Sequence, residues 1–104
     1  MIYVMQNNVL IPGKFNEWNE IVKSELRPVY QKLGINTVAS FRSYTGDMNQ
    51  MFAFYAYNDL ASYQKSRETN LKDKDYQNVA AKLNALRVSF ITTFLEPNPW
   101  SPMK

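Results

Sequence analysis

The sequence predicts one α+β domain of βαββαβ order, in which a four-stranded antiparallel sheet carries two helical regions on one face. Three observations carry this reading. The chain has 104 residues, four of its stretches are dense in β-branched and aromatic residues, and two others repeat apolar residues every three or four positions. That length fits a single domain, residues 1–104, and lets roughly 60–70% of the unfolded surface be buried. Apolar residues make up 45% of the chain and aromatics 14%, which excludes a disordered polymer.

The first strand is expected at residues 2–9, where Ile2, Tyr3, Val4 and Met5 are strand formers. Pro12-Gly13 punctuates the chain before a helix. From 14 to 33, Phe15, Trp18, Val22, Leu26, Val29, Tyr30 and Leu33 form one apolar helical face. Pro28 lies inside that span and is expected to kink or split it near Leu26-Arg27, because its ring clashes with the Ser24 carbonyl. Gly34 is placed to end it. Residues 35–45 and 50–57 read as two strands joined by a turn at Gly46-Asp47-Met48-Asn49. Asn58-Asp59 offers helix caps, and Leu60, Tyr63, Arg67 and Leu71 begin a second helical pattern. That pattern is interrupted at Lys72-Asp73-Lys74-Asp75 and resumes with Val79, Leu83 and Leu86. Residues 87–95 are the last strand, followed by a proline-rich tail. The order is the ferredoxin-like plan.

The strands are apolar on both sides. Ile2 and Val4 alternate with Tyr3 and Met5, and Met51, Ala53, Tyr55 and Tyr57 alternate with Phe52, Phe54 and Ala56. Two helical regions cover only one face of such a sheet. An uncovered face bearing Tyr3, Met5, Phe52 and Phe54 would be a large apolar patch, so a second copy of the chain is the expected cover.

Composition also removes whole classes of chemistry. The chain has no cysteine, hence no disulfide, thiolate nucleophile or cysteine-bound metal, and no histidine, the commonest metal ligand and proximal haem ligand. No cofactor or metal is expected. Acid–base chemistry falls to Asp, Glu, Tyr or Lys with shifted pKa values. A net charge of +3, with basic and acidic residues interspersed, argues little for a polyanion partner. The longest apolar run, Met51 to Tyr57, is far short of a membrane span, and the N-terminus lacks a signal-peptide pattern, so a cytoplasmic location is expected.

Within this order several segments resemble one family. Tyr44-Thr45-Gly46-Asp47-Met48-Asn49-Gln50, followed by Phe54-Tyr55-Ala56-Tyr57-Asn58-Asp59-Leu60, resembles the glycine-x-x-asparagine hairpin and "tryptophan-x-tyrosine" strand end of the NIPSNAP family. Asp73-Lys74-Asp75-Tyr76 is similar to its "aspartate-proline-x-tryptophan" segment, Pro99-Trp100-Ser101-Pro102 to its closing motif, and Pro12-Gly13-Lys14 to its proline-glycine-lysine. The resemblance spans essentially the whole chain. It implies a dimeric α/β barrel, two ferredoxin-like sheets face to face, similar in fold to small cofactor-free monooxygenases and related isomerases. It implies no settled activity. Val4 and Gln6 stand where the family usually carries a glutamate and an arginine, so a ligand site built on that charged pair would be changed or absent here.

The candidate ligand site is Gln6, Asn8, Trp18, Tyr30, Tyr55 and Tyr57, expected together between sheet and helices, where amides and phenols could orient a small aromatic or carbonyl compound. The same residues also suit an ordinary core whose aromatics satisfy their polar ends, which would make the chain a structural or interaction module. Arg42 is a mid-strand cation that suits an anionic ligand or an edge strand, its face left open by the hairpin register. Arg67 reads as a solvated helix residue. Ser62-Tyr63-Gln64-Lys65 fits a serine-x-x-lysine pattern without its companion motifs, and Glu17 with Glu20 and Asp73 with Asp75 read as surface pairs too few to bind calcium. A competing class is RNA binding through an open sheet face. Gln50 to Tyr57 partly matches the third-strand signature of the RNA-recognition motif, but Met51 replaces the expected glycine and the leading basic residue is missing.

Overall fold

The computed structural model describes residues 1–46 and 48–103. Its elements are β1 (Ile2–Leu10), α1 (Phe15–Ile21), a contiguous π-helical segment (Val22–Leu26), α2 (Arg27–Leu33), β2 (Asn36–Arg42), β3 (Gln50–Tyr57), α3 (Leu60–Lys72), α4 (Lys74–Asn84) and β4 (Arg87–Leu95). The expected order is the one adopted. The four strands form one antiparallel sheet in the order β2-β3-β1-β4, with β1 inside and β2 and β4 at the edges. No helix among the described residues is long and apolar enough to cross a membrane.

The first helical region departs from expectation in how it handles Pro28. The helix widens by one residue where a kink or a split was expected. The Arg27 N–H donates to the Val22 carbonyl five positions back, and Pro28 follows near the start of α2. A proline lacks the N–H that a regular turn needs and crowds the carbonyl four residues earlier, and a π-turn accommodates both defects without ending the helix. Gly34 then stops α2 in the left-handed conformation (φ 73°), with Ile35 N–H donating to the Tyr30 carbonyl at 2.9 Å.

The hairpin is looser than the sequence suggests. β2 leaves the ladder at Arg42, a register shift lies between Thr37 and Ala39, and Ser43 N–H donates to the Gln50 carbonyl at 3.1 Å. Gly46 adopts φ 73°, while Asp47 of the expected turn lies outside the described residues. In the second helical region the interruption narrows to Asp73, whose extended backbone ends α3 and starts α4. Its carboxylate accepts from Tyr76 N–H at 2.9 Å, as Asp59 accepts from Ser62 N–H at 2.7 Å at the start of α3.

The hydrophobic core gathers Leu10 and Met51 of the sheet against Trp18, Leu26, Val29, Val79, Leu83 and Leu86. Leu10 is 1% exposed, so Leu10→Ala should cost about 2–5 kcal/mol, read as a lower urea midpoint with an unchanged slope. The two capping carboxyls supply a pH dependence. Backbone N–H donation is the main cause holding Asp59 and Asp73 below the ordinary carboxylate range. Their contribution is full above the unfolded value of ~3.9 and is lost as pH falls through the lower folded values. The urea midpoint of the native chain should therefore drop in acid. A double variant with Asp59→Asn and Asp73→Asn keeps the capping acceptors but should show a shallower drop; an equal one would rule the caps out as its source.

Candidate functional site

The register of β1 decides what lies beneath the helices. Ile2, Val4, Gln6, Asn8 and Leu10 alternate onto the helix side, and the antiparallel pairing sets Tyr57, Tyr55, Ala53 and Met51 opposite the first four. On the other side of β1, Val4, Gln6 and Asn8 face Phe94, Thr92 and Phe90. β2 adds Ser40 opposite Ala53 and Arg42 opposite Met51. One rung across all four strands therefore reads Ser40, Ala53, Gln6, Thr92. Every member of that rung is small or polar, whereas the rungs on either side carry Tyr55, Val4 and Phe94, or Met51, Asn8 and Phe90.

A sheet lined by short side chains at its middle leaves space under the helices. That space is a cavity of about 840 Å³, with the four rung residues among those lining it. Its size is that of a small-molecule site. The π-helical segment forms part of the wall through Val22, Lys23 and Leu26. Such widened turns recur at functional sites because they redirect side chains that a regular helix would place elsewhere.

All six residues singled out from the sequence, Gln6, Asn8, Trp18, Tyr30, Tyr55 and Tyr57, line this cavity. The aromatic wall is ordered by ring contacts. Tyr30 meets Tyr55 edge-on with centroids 5.6 Å apart and stacks on Tyr76 at 6.5 Å. Tyr57 meets Tyr63 at 5.2 Å, and Tyr63 meets Phe94 at 5.0 Å, both edge-on. Burial raises the phenol pKa of Tyr30 well above its ordinary value, and the neighbouring Tyr55 raises it further. Burial also raises Tyr55 and Tyr57. At neutral pH these phenols stay protonated and act as hydrogen-bond donors, not as bases.

Asn8 is 3% exposed, and its Oδ1 accepts from Arg87 Nη1 at 2.9 Å. Arg87 also donates through Nη2 to Asn84 Oδ1 and lies over the Phe90 ring, 3.8 Å from its centroid. With its oxygen engaged, Asn8 keeps its amide NH₂ for another partner. Arg87 was not legible as a site residue in the sequence, because its partner Asn8 lies 79 positions away. Tyr63 and the small rung were not legible as site features for the same reason. Their only local signals were an aromatic on a helical face and two small residues in otherwise apolar strands.

The remaining candidates disperse. Arg42 turns to the helix side of edge strand β2, where its guanidinium lies 4.4 Å from the Phe15 ring centroid, and it does not line the cavity. Arg67 is exposed, as expected, yet stands at the cavity wall. Ser62 and Lys65 lie outside the cavity lining, and Ser62 is engaged with the Asp59 cap. Glu17 pairs with Lys14 at 3.6 Å, Glu20 accepts from Ser24, and Asp73 and Asp75 both bind Lys32. No group of three or more acidic residues able to hold a metal occurs among the described residues.

Comparison with solved structures finds the same fold in several proteins. A NIPSNAP family protein from Agrobacterium tumefaciens superposes with a TM-score of 0.93 at 21% identity, covering 99% of this chain and 98% of that one. An uncharacterized NIPSNAP domain protein from Burkholderia xenovorans gives 0.91 at 20% identity, covering 98% and 99%. A putative antibiotic biosynthesis monooxygenase from Nitrosomonas europaea gives 0.70 at 9% identity, covering 93% and 98%. At these identities the likeness concerns the fold. No curated protein matches the sequence. The NIPSNAP family model, however, matches residues 3–102, from the first strand through the closing proline-tryptophan-serine-proline, and the chain therefore belongs to the NIPSNAP family.

Proposed function

We propose that this chain is a homodimer that binds a small aromatic or carbonyl compound in the cavity between sheet and helices. The observation that carries the ligand reading is the small, polar rung of Ser40, Ala53, Gln6 and Thr92 beneath an aromatic wall. Space with a few convergent polar groups is what a small-ligand site requires, whereas a core without a ligand favours filled volume. The donors available there are protonated tyrosines, the amides of Gln6 and Asn8, and Arg87. Such a set supports stabilisation of a developing oxyanion, the need of cofactor-free monooxygenase-like or isomerase-like chemistry on such a compound. The shared fold of the putative monooxygenase from Nitrosomonas europaea is compatible with that chemistry.

The dimer reading rests on the opposite sheet face. Tyr3, Met5 and Asn7 share it with Phe52 and Phe54, and with Ile91, which is 65% exposed, and Phe41, which is 58% exposed. The paired strand residues on that face include no Lys or Arg, which favours a second copy over a nucleic-acid backbone.

Light scattering at low micromolar concentration should give the mass of two chains, and Phe54→Glu should give one. A native monomer would overturn the dimer. For the ligand, the buried Trp18 is an internal reporter. Titration with small aryl ketones and aryl carboxylates should quench its emission to saturation, and Gln6→Ala should weaken that binding. A purely structural role predicts instead that Gln6→Ala and Tyr55→Phe alter stability alone, with no saturable quenching up to about 1 mM ligand, the limit of weak specific binding.

A further inference from the structure

The charges around the cavity are all of one sign. Lys23, Arg27, Arg67 and Arg87 line it, and no Asp or Glu does so among the described residues. Elsewhere four carboxylates are engaged with other cations: Glu17 with Lys14, Glu25 with Lys82 at 2.5 Å, and Asp73 and Asp75 with Lys32 at 3.0 and 2.8 Å. None of the four cavity cations forms an ion pair with a described residue.

Arg87 is the most constrained of them. It is half-buried, and it meets two neutral carboxamides, Asn8 and Asn84, and the face of Phe90. Burial lowers its pKa. A guanidinium keeps its proton under such conditions, so the cation is partly desolvated with no counter-charge from the described residues. It has five N–H donors, and the two carboxamides engage one each. A planar carboxylate matches the remaining fork, and charge-assisted bonds of this kind are the strong ones.

We propose that the ligand of this cavity is an organic anion: an aromatic body carrying a carboxylate, with the carboxylate on Arg87 and the ring against Tyr30, Tyr55 and Tyr76. This rests on the small-ligand reading of the same cavity and adds the substrate class. The remaining cations, Lys23, Arg27 and the exposed Arg67, draw anions toward the site and leave neutral analogues unaffected.

The test is paired calorimetric titration of the full chain with 2-naphthoate and with its methyl ester, which has nearly the same shape and no charge. The anion should bind about tenfold tighter or more, the scale of a charge-assisted hydrogen bond. Added sodium chloride should weaken the naphthoate alone. Arg87→Gln should bring the anion down to the level of the ester. Because Arg87 also packs on Asn8 and Phe90, Arg67→Gln at the exposed wall serves as the second variant and should lower only the anion's affinity. Ala53→Trp, which fills the middle rung, should abolish both. An ester binding as tightly as the acid would overturn the anion proposal and leave the cavity reading standing. Binding that persists in Ala53→Trp would place the ligand elsewhere and overturn the proposal. Binding of neither compound would overturn the small-ligand reading together with it.

Discussion

β1 is hydrogen-bonded along both edges, to β3 on one side and β4 on the other, and the rest of the structure is hung on that double register. Because side chains alternate across a strand, fixing β1 fixes the facing of its neighbours. A slip of one residue would bring Tyr3, Met5 and Asn7 beneath the helices and move Val4, Gln6 and Asn8 to the outer face. The two faces are built for different purposes. The inner one ends in Leu10 and Met51, which anchor the hydrophobic core, and opens toward its middle into the cavity. The outer one carries Tyr3, Met5, Phe41, Phe52, Phe54 and Ile91 and no charged side chain along the paired strands.

The cavity follows from a local violation of close packing. Core positions in a sheet are usually filled to crystal-like density, and here the middle rung is filled with Ser40, Ala53, Gln6 and Thr92. The helices do not collapse onto that rung. Core packing of Trp18, Leu26 and Leu83 near Leu10 holds them at one end, and the ring contacts of Tyr30, Tyr55, Tyr57 and Tyr63 hold them at the other. The irregularities of the helices belong to the same arrangement. The π-turn ahead of Pro28 brings Lys23 and Leu26 to the cavity, and the break at Asp73 lets α4 start afresh with Tyr76 stacked on Tyr30.

Charge is partitioned accordingly. Exposed lysines find carboxylates on neighbouring helices, as Lys32 does with Asp73 and Asp75 and Lys82 with Glu25, pairs that tie helix to helix but are individually weak in water. The cations at the cavity are left to solvent or to neutral partners, and Arg87 with its carboxamides is the clearest instance. A buried polar contact of that kind carries specificity more than stability, since its strength depends on what completes it.

The sequence by itself determined the element order, the extents of β3 and β4 and the site of the second helical break, because alternation, helical spacing and capping residues are read over a few neighbouring positions. It also determined that Gln6 shares a face with Asn8 and Tyr55 with Tyr57, since parity within a strand is local, and that Trp18 and Tyr30 lie on one helical face. Only the tertiary structure decided that Ala53, Ser40 and Thr92 meet Gln6 on one rung, that Asn8 meets Arg87 across 79 positions, and which face of the sheet Arg42 occupies. Those depend on the offset between strands, which loops of irregular length and the shifts at Thr37/Ala39 and Val9/Leu10 set through packing. The π-turn belongs with them. A proline announces that a helix must yield, but whether it breaks or widens depends on what the far side of that helix has to cover.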